Sequence, residues 1–388
     1  MTYLAVSTIV RRAAPDEQSS YLRIVDLDRG RVVATVAMPE SHGRAVDPNA
    51  RGGHRGSRGV SACGERFVAA ANDRLFVLDP SWRLAREMTH PWVGGIHDVL
   101  AVADGVWVTS TAASLLVKLD WEGRIAERWH WADDAGLSRD LGFRKPPGFD
   151  EGVDYRVPAY GLGAHDVVHM NAVIARGPGL LVSLGQIRSP AAQRWQGARL
   201  AATRAAQVVP PIRRAIGTLR HRRMRGGELR ELPAPGKRGA SHAIVELDLE
   251  AGHPGAARVL WHRGGVSTPK HNLGAVDGSL LFNDSVVGVK AVDLRDGDIA
   301  FEIPIPGSPT FARGLCALGK DEWAVGSQRP AAVYRVSLGT RSVIDAIELG
   351  GQPWETVYAI CRIPAAFSRE RVEGFAEWAA GLDAPGAG

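Results

Sequence analysis

The sequence predicts an all-β fold: a six-bladed β-propeller closed by pairing of strands from its N- and C-terminal ends. The first observation is a short phrase that recurs six times, at intervals of about 40 residues where the spacing is regular. Its copies are Arg58-Gly-Val-Ser-Ala, His97-Asp-Val-Leu-Ala, Asn171-Ala-Val-Ile-Ala, His271-Asn-Leu-Gly-Ala, Arg313-Gly-Leu-Cys-Ala and Glu355-Thr-Val-Tyr-Ala. The second is that most copies lead into a turn such as Asp104-Gly105 or Asp277-Gly278, then an apolar strand such as VWVTS or LLFNDS. Several short strands per repeat is the pattern of a propeller blade. The third is that TYLAVST, YLRIVDL and RVVATVAM near the start lack an inner partner, while ETVYAICRI near the end is an inner strand without its three partners. Joining them completes the ring and removes exposed sheet edges.

Taken in order, the second blade spans about 58–91 and the third about 97–131. The fourth opens at His169, breaks after LLVSLGQ and resumes at HAIVELDLE. The fifth spans 271–306 and the sixth 313–350. The propeller is expected over 1–364, with a short helix and tail over 365–388. Two insertions interrupt it, a loop over 132–164 and a basic helical segment over 187–239. In an up-and-down blade both connections emerge on one face, beside the openings of the recurring phrase. In the second insertion, Trp195, Ala198, Ala202, Ala205 and Val209 share one helical face, and Ile212, Ile216 and Leu219 another, with arginines around them. This pattern suits a basic helical hairpin.

The net charge of +5 is local in origin. Segment 188–238 carries thirteen Arg or Lys against two Glu, so the remainder of the chain is net acidic. A nucleic-acid-binding surface is not implied, and no run of stacking aromatics accompanies the arginines. An anionic lipid surface or an acidic partner fits the insertion better, as an alternative to a solvated lid. No stretch reaches the roughly 18 apolar residues that span a bilayer. The N-terminal apolar run lacks a preceding basic segment, and the three cysteines sit in inner-strand phrases where small apolar residues are wanted. A cytoplasmic location is therefore expected.

A propeller gathers the opening residues of its inner strands into one central funnel. There His97, His169 and His271 come from three successive blades, with His165 four residues before His169. Three neutral imidazoles with an open fourth position suit a divalent transition metal: Zn, Fe, Mn or Cu. Such a metal activates water or polarises a substrate oxygen. Arg58 and Arg313 occupy the equivalent openings of two further blades, and Glu355 the remaining one. Two readings stay open: an Arg–Glu ion pair that plugs the channel, or a fork for a carboxylate, sulfate or phosphate with Glu355 as base. Asn171 and Asn283, with other polar residues that end the second strands, such as Thr111, would add neutral hydrogen bonds around a small anionic substrate. Asp98 and Asp166 follow histidines directly and are candidates to orient them. Tyr155 and Tyr160 in the first insertion are candidate acids or bases.

At this layer the phrases resemble those of two families of six-bladed propeller enzymes. His97-Asp-Val-Leu-Ala and His271-Asn-Leu-Gly-Ala-Val look like the histidine phrases of peptidyl-hydroxyglycine amidating lyases. That resemblance implies one zinc on His97, His169 and His271, with an arginine nearby. His169-Met-Asn171 followed by LLVSLG, and His271 followed by Asp-Gly-Ser-Leu-Leu-Phe-Asn, look like bacterial arylsulfate sulfotransferases. That resemblance implies a metal-free nucleophile at His271 and sulfate binding by His97, His169 and Asn171; the family's arginine after this strand has only Arg188 as a displaced counterpart. Gluconolactonase-type propellers bind calcium through Glu and Asn, a pattern matched here by Glu355 and Asn171 alone. Three functions are thus expected as alternatives: metal-assisted hydrolysis or lyase chemistry with Glu355, His271 and Arg313 as catalytic groups; sulfuryl transfer through His271; or a non-catalytic binding scaffold.

Overall fold

The computed structural model describes residues 2–10, 18–39, 57–143, 148–156, 165–188, 198, 201, 240–250, 253–264, 270–307, 311–328, 330–352 and 354–367. These residues form six four-stranded sheets. The closing blade pairs β24 (Glu355–Arg362) with β1 (Tyr3–Val10), β2 (Ser20–Asp26) and β3 (Arg31–Ala37). The second holds β4 (Val60–Cys63), β5 (Arg66–Ala70), β6 (Leu75–Leu78) and β7 (Leu84–Met88); the third β8 (Ile96–Val102), β9 (Gly105–Ser110), β10 (Leu115–Leu119) and β11 (Ile125–His130). The fourth holds β12 (Met170–Arg176), β13 (Gly179–Ile187), β14 (Ser241–Glu250) and β15 (His253–Gly264). The fifth is β16 (Lys270–Val276), β17 (Ser279–Asp284), β18 (Gly288–Asp293) and β19 (Ile299–Pro304); the sixth is β20 (Arg313–Ala317), β21 (Glu322–Gly326), β22 (Ala332–Ser337) and β23 (Ser342–Glu348). Innermost strands pack in sequence, β4 on β8, β8 on β12, β12 on β16, β16 on β20, β20 on β24 and β24 on β4. The ring is closed as the sequence predicts.

The blades cohere because middle strands bury both faces. Along β5 and β6, Val68, Ala70 and Val77 join one apolar layer against the third blade, while Phe67, Ala69, Phe76 and Leu78 join another against the closing blade. Successive side chains point to opposite faces, so each blade feeds two layers. Hence β6 and β10 are buried throughout, whereas outer β11 alternates exposed and half-buried over Ile125–Arg128. The turn at Asp277 (φ 33°) and Gly278 (φ 82°) holds both central residues at positive φ, the geometry of a tight hairpin turn that glycine favours.

Polar side chains tie neighbouring blades. Ser7 donates to the Arg58 carbonyl, Thr111 to the Met170 carbonyl, and Asn283 Nδ2 to the Gly314 carbonyl at 2.9 Å. This corrects the expectation that Asn283 and Thr111 offer free donors around the rim. They are spent on the backbone of the next blade, where an unpaired buried carbonyl would be costly.

In the first insertion, Trp131–Asp133 form a 3₁₀ turn and Ala135–Asp140 a short helix, α1, whose N-cap Asp134 accepts from Leu137 N at 2.9 Å. Trp131, Leu137, Leu141 and Phe143 pack on the layer between the third and fourth blades. Of 187–239, only Ile187, Arg188, Ala198 and Ala201 are described, so the expected basic hairpin and its acidic or lipid partner lie outside the described residues. The same holds for Tyr160 and for the tail beyond Phe367. Among the described residues no helix is long and apolar enough to cross a membrane.

Candidate functional site

Each inner strand of blades three to six is irregular at its phrase opening. Register shifts fall between Ile96 and Val99, Met170 and Ala172, His271 and Leu273, and Arg313 and Leu315. Bulges of this kind re-aim side chains, and they cluster at functional sites. His169, just before β12, and Asn272, inside a bulge, adopt φ of 48° and 52°, a conformation uncommon outside glycine.

The irregular openings bring the three imidazoles together. The ring centroids of His97 and His169 lie 4.8 Å apart edge-on, those of His97 and His271 5.8 Å apart in near-parallel planes, and those of His169 and His271 6.1 Å apart. The hydrogen-bond partners set their protonation. His97 Nδ1 lies 2.8 Å from the Gly95 carbonyl, which only accepts, so Nδ1 carries the hydrogen and Nε2 the lone pair. His169 Nδ1 donates to Asp166 Oδ2 at 2.9 Å, so that in the neutral ring the lone pair lies on Nε2. His271 is reversed. Asn171 Nδ2 donates both to the Lys270 carbonyl and, at 3.0 Å, to His271 Nδ1. The carbonyl fixes the amide orientation, so His271 Nδ1 accepts and Nε2 carries the hydrogen.

This proton pattern does not suit the predicted three-histidine centre for Zn, Fe, Mn or Cu, which needs a lone pair from each ring. Consistent with it, no set of three or more His, Cys, Asp or Glu among the described residues is arranged to hold a metal ion. Burial, then repulsion from the neighbouring His169 ring when it is protonated, and from Arg313 and Arg58, hold the His97 pKa well below the ordinary imidazole value. His97 is therefore neutral throughout the physiological range, in a positive field.

The two arginines converge as well. The guanidinium carbons of Arg58 and Arg313 lie 4.7 and 4.8 Å from the centroid of the Tyr358 ring, and Arg313 lies equally close to Phe311. Tyr358 also approaches His97, at 5.7 Å between centroids. The sequence reading missed Tyr358, although a signal exists: the fourth position of the phrase is small or aliphatic in five copies and aromatic only here.

Two predicted site residues belong elsewhere. Glu355 neither pairs with Arg58 or Arg313 nor serves as a free base. Its oxygens accept from Arg23 Nε and Nη2, both at 2.8 Å, and also from Thr8 and the Gln352 backbone N–H. His165 packs edge-on against Tyr155 at 5.1 Å, in an aromatic group with Phe149 and His130. Tyr155 is buried there and donates to the Asp150 carbonyl, which corrects its reading as an acid or base. Asp166 does orient His169. Asp98 instead accepts from Val99 N at 3.1 Å and from Val173 N of the next blade at 3.2 Å. Burial pushes its carboxyl up to about 7 against those two donors.

Gly185 marks how tightly the Asn171–His271 contact is packed. A Cβ there would lie 2.2 Å from Asn171 Nδ2 and 2.5 Å from the Lys270 carbonyl. Gly185→Ala is expected to displace Asn171, cost about 1–3 kcal/mol in denaturant unfolding, and release the His271 hydrogen from Nε2 into a tautomer mixture. Imidazole ¹⁵N chemical shifts would show this; an unchanged His271 spectrum would refute it.

No protein-family model matches the sequence, and neither does any curated protein. Similar solved structures include a protein of unknown function from Bacteroides caccae, 9% identical, with TM-score 0.49, covering 93% of this chain and 98% of its own. A chain of a nidogen/laminin complex is 9% identical with TM-score 0.48, covering 94% and 99% respectively. A streptogramin B lyase structure is 9% identical with TM-score 0.44, covering 77% and 70%. Such distant likenesses carry no argument about activity.

Proposed function

We propose that the cluster is an acid–base centre of a hydrolase or lyase acting on a small anionic substrate. The supporting observation is three imidazoles with unlike proton assignments, beside two arginines that share an aromatic ring. His169, oriented by Asp166, is the general base: its Nε2 lone pair takes a proton from the substrate or from an attacking water. His271, held by Asn171, presents Nε2–H to an oxygen on which negative charge develops. Arg58 and Arg313 hold the anionic group. His97 stays neutral, and Glu355 has no chemical part. Sulfuryl transfer through a His271 nucleophile fits less well, since one nitrogen accepts from Asn171 and the other carries the hydrogen.

The reading is tested by a turnover screen on 4-nitrophenyl phosphate and sulfate and on hydroxydicarboxylates. His169→Gln is expected to lower any turnover about 10²–10⁴-fold, the usual contribution of a positioned general base. Turnover by the wild type that His169→Gln leaves unchanged would end it. Zinc added in equimolar amount to protein without a histidine tag is expected to be removed by gel filtration.

A further inference from the structure

We propose that His97 determines specificity by accepting, at Nε2, a hydrogen bond from a hydroxyl of the substrate, so that the anion taken is one that carries a hydroxyl group. This deepens the reading of a small anionic substrate and rests on it. Both hydrogen bonds of His97 are made by Nδ1, to the Gly95 carbonyl at 2.8 Å and to Thr111 Oγ1 at 2.9 Å. The Thr111 hydroxyl gives its own hydrogen to the Met170 carbonyl, so toward His97 it only accepts. Two acceptors at Nδ1 leave the ring a single neutral tautomer. Its Nε2, across the ring from both, carries the lone pair and has no hydrogen-bond partner among the described residues. The residue is half-buried rather than sealed in the core, and its ring stands edge-on to His169 and near-parallel to His271.

The two open Nε2 acceptors differ in kind. His169 has the Asp166 carboxylate behind it, which suits a ring that takes a proton. His97 has a carbonyl and a hydroxyl in that place, neither of them charged, so no anion there compensates a proton on its ring. Burial acts in the same direction and keeps His97 neutral. A ring that stays neutral is a poor base and a lasting acceptor. The donor that suits it is neutral too. His97 lies 5.7 Å, between ring centroids, from Tyr358, and the Arg58 guanidinium lies 4.7 Å from the same Tyr358 centroid, where it would repel an ammonium group. A hydroxyl meets both conditions. An analogue lacking it would leave the acceptor desolvated and unpaired, and sites built to bind a hydroxyl discriminate strongly against its absence.

Matched anions serve as probes: malate against succinate, lactate against propionate, and glycerol 3-phosphate against propyl phosphate, titrated into the full chain and followed by calorimetry. The wild type is expected to bind the hydroxylated member of at least one pair about tenfold or more tightly than its partner. His97→Phe keeps a ring without the acceptor and should bring that ratio to within about twofold of unity. His97→Gln, which returns an amide oxygen near the place of Nε2, should recover part of it. A wild type with no preference in any pair, or His97→Phe with the wild-type ratio, overturns the proposal. Should His97→Phe fail to fold, the ¹⁵N shift of His97 Nε2 in the wild type decides. It must move with the hydroxylated member and not with its partner, and equal movement or none overturns the proposal. The readout is a binding preference rather than turnover, and His169→Gln should retain it, so this inference and the role given to His169 fail separately.

Discussion

Glu355→Ala is expected to destabilise the protein by about 3–5 kcal/mol, the loss that follows when one partner of a buried ion pair is removed. Arg23 is 7% exposed and Glu355 1%, and the pair joins β2 to β24 within the blade that closes the ring. Arg23 Nη1 also donates to Thr35 Oγ1 at 3.1 Å, so the network reaches β3. Without the carboxylate, a guanidinium remains in a site built to pair it. Thr8 and the Gln352 N–H lose their acceptor too. There is no room to relax: Gly351, at φ 94°, lies so close that a Cβ there would sit 2.0 Å from Glu355 Oε2. The double variant Arg23→Ala/Glu355→Ala should recover part of the loss, because it removes the stranded charge. Urea unfolding measures both. A catalytic base would behave differently, leaving stability intact and abolishing turnover, so a fully stable Glu355→Ala protein would restore that role.

The repeated phrase made the architecture legible, because a propeller writes the same local instructions into every blade. Asp104-Gly105 and Asp277-Gly278 turns, and the divided closing blade, could be read without any long-range information. The meeting of His97, His169 and His271 followed from ring closure alone. What the imidazoles do was not legible, since it depends on partners set by bulges. Simple alternation put Asp98 and Asp166 on equal terms. The irregular openings instead give Asp166 to His169 and send Asp98 to the backbone of β12. Glu355 shares the phrase opening with Arg58 and Arg313, yet pairs with Arg23, far away in sequence and on a strand not grouped with the phrase. Tyr358 was hidden for a related reason: aligning the first residue of each phrase drew attention from the fourth. His165 was grouped by its proximity in sequence to His169, while its neighbours in space are Tyr155 and the first insertion.

Acid stability should be dominated by competition between buried histidines and one buried acid, and the balance can be moved in either direction by substitution. His242 is fully buried between Trp261 and Phe282, at 5.1 and 5.2 Å, with Nε2 3.1 Å from Ser183 Oγ. Burial, with the positive charge of Lys270, lowers its pKa to about 3. Unfolded, it takes a proton below about 6.5, so from there down to about 3 the unfolded state binds one more proton and stability falls as pH falls. His97 acts in the same direction. Asp98 acts oppositely: with its folded pKa raised to about 7, the native state holds the extra proton between about 3.9 and 7, and stability rises as pH falls. Near pH 5 His242 and Asp98 therefore offset one another, and His97 tips the balance toward lower stability as pH falls. Asp98→Asn removes the opposing member and should steepen the wild-type dependence by one proton's worth. His242→Phe should flatten it by the same amount. Urea midpoints measured from pH 4.5 to 6.5 give both slopes, and parallel curves for the wild type and either variant would show that the substituted group does not titrate differently on folding.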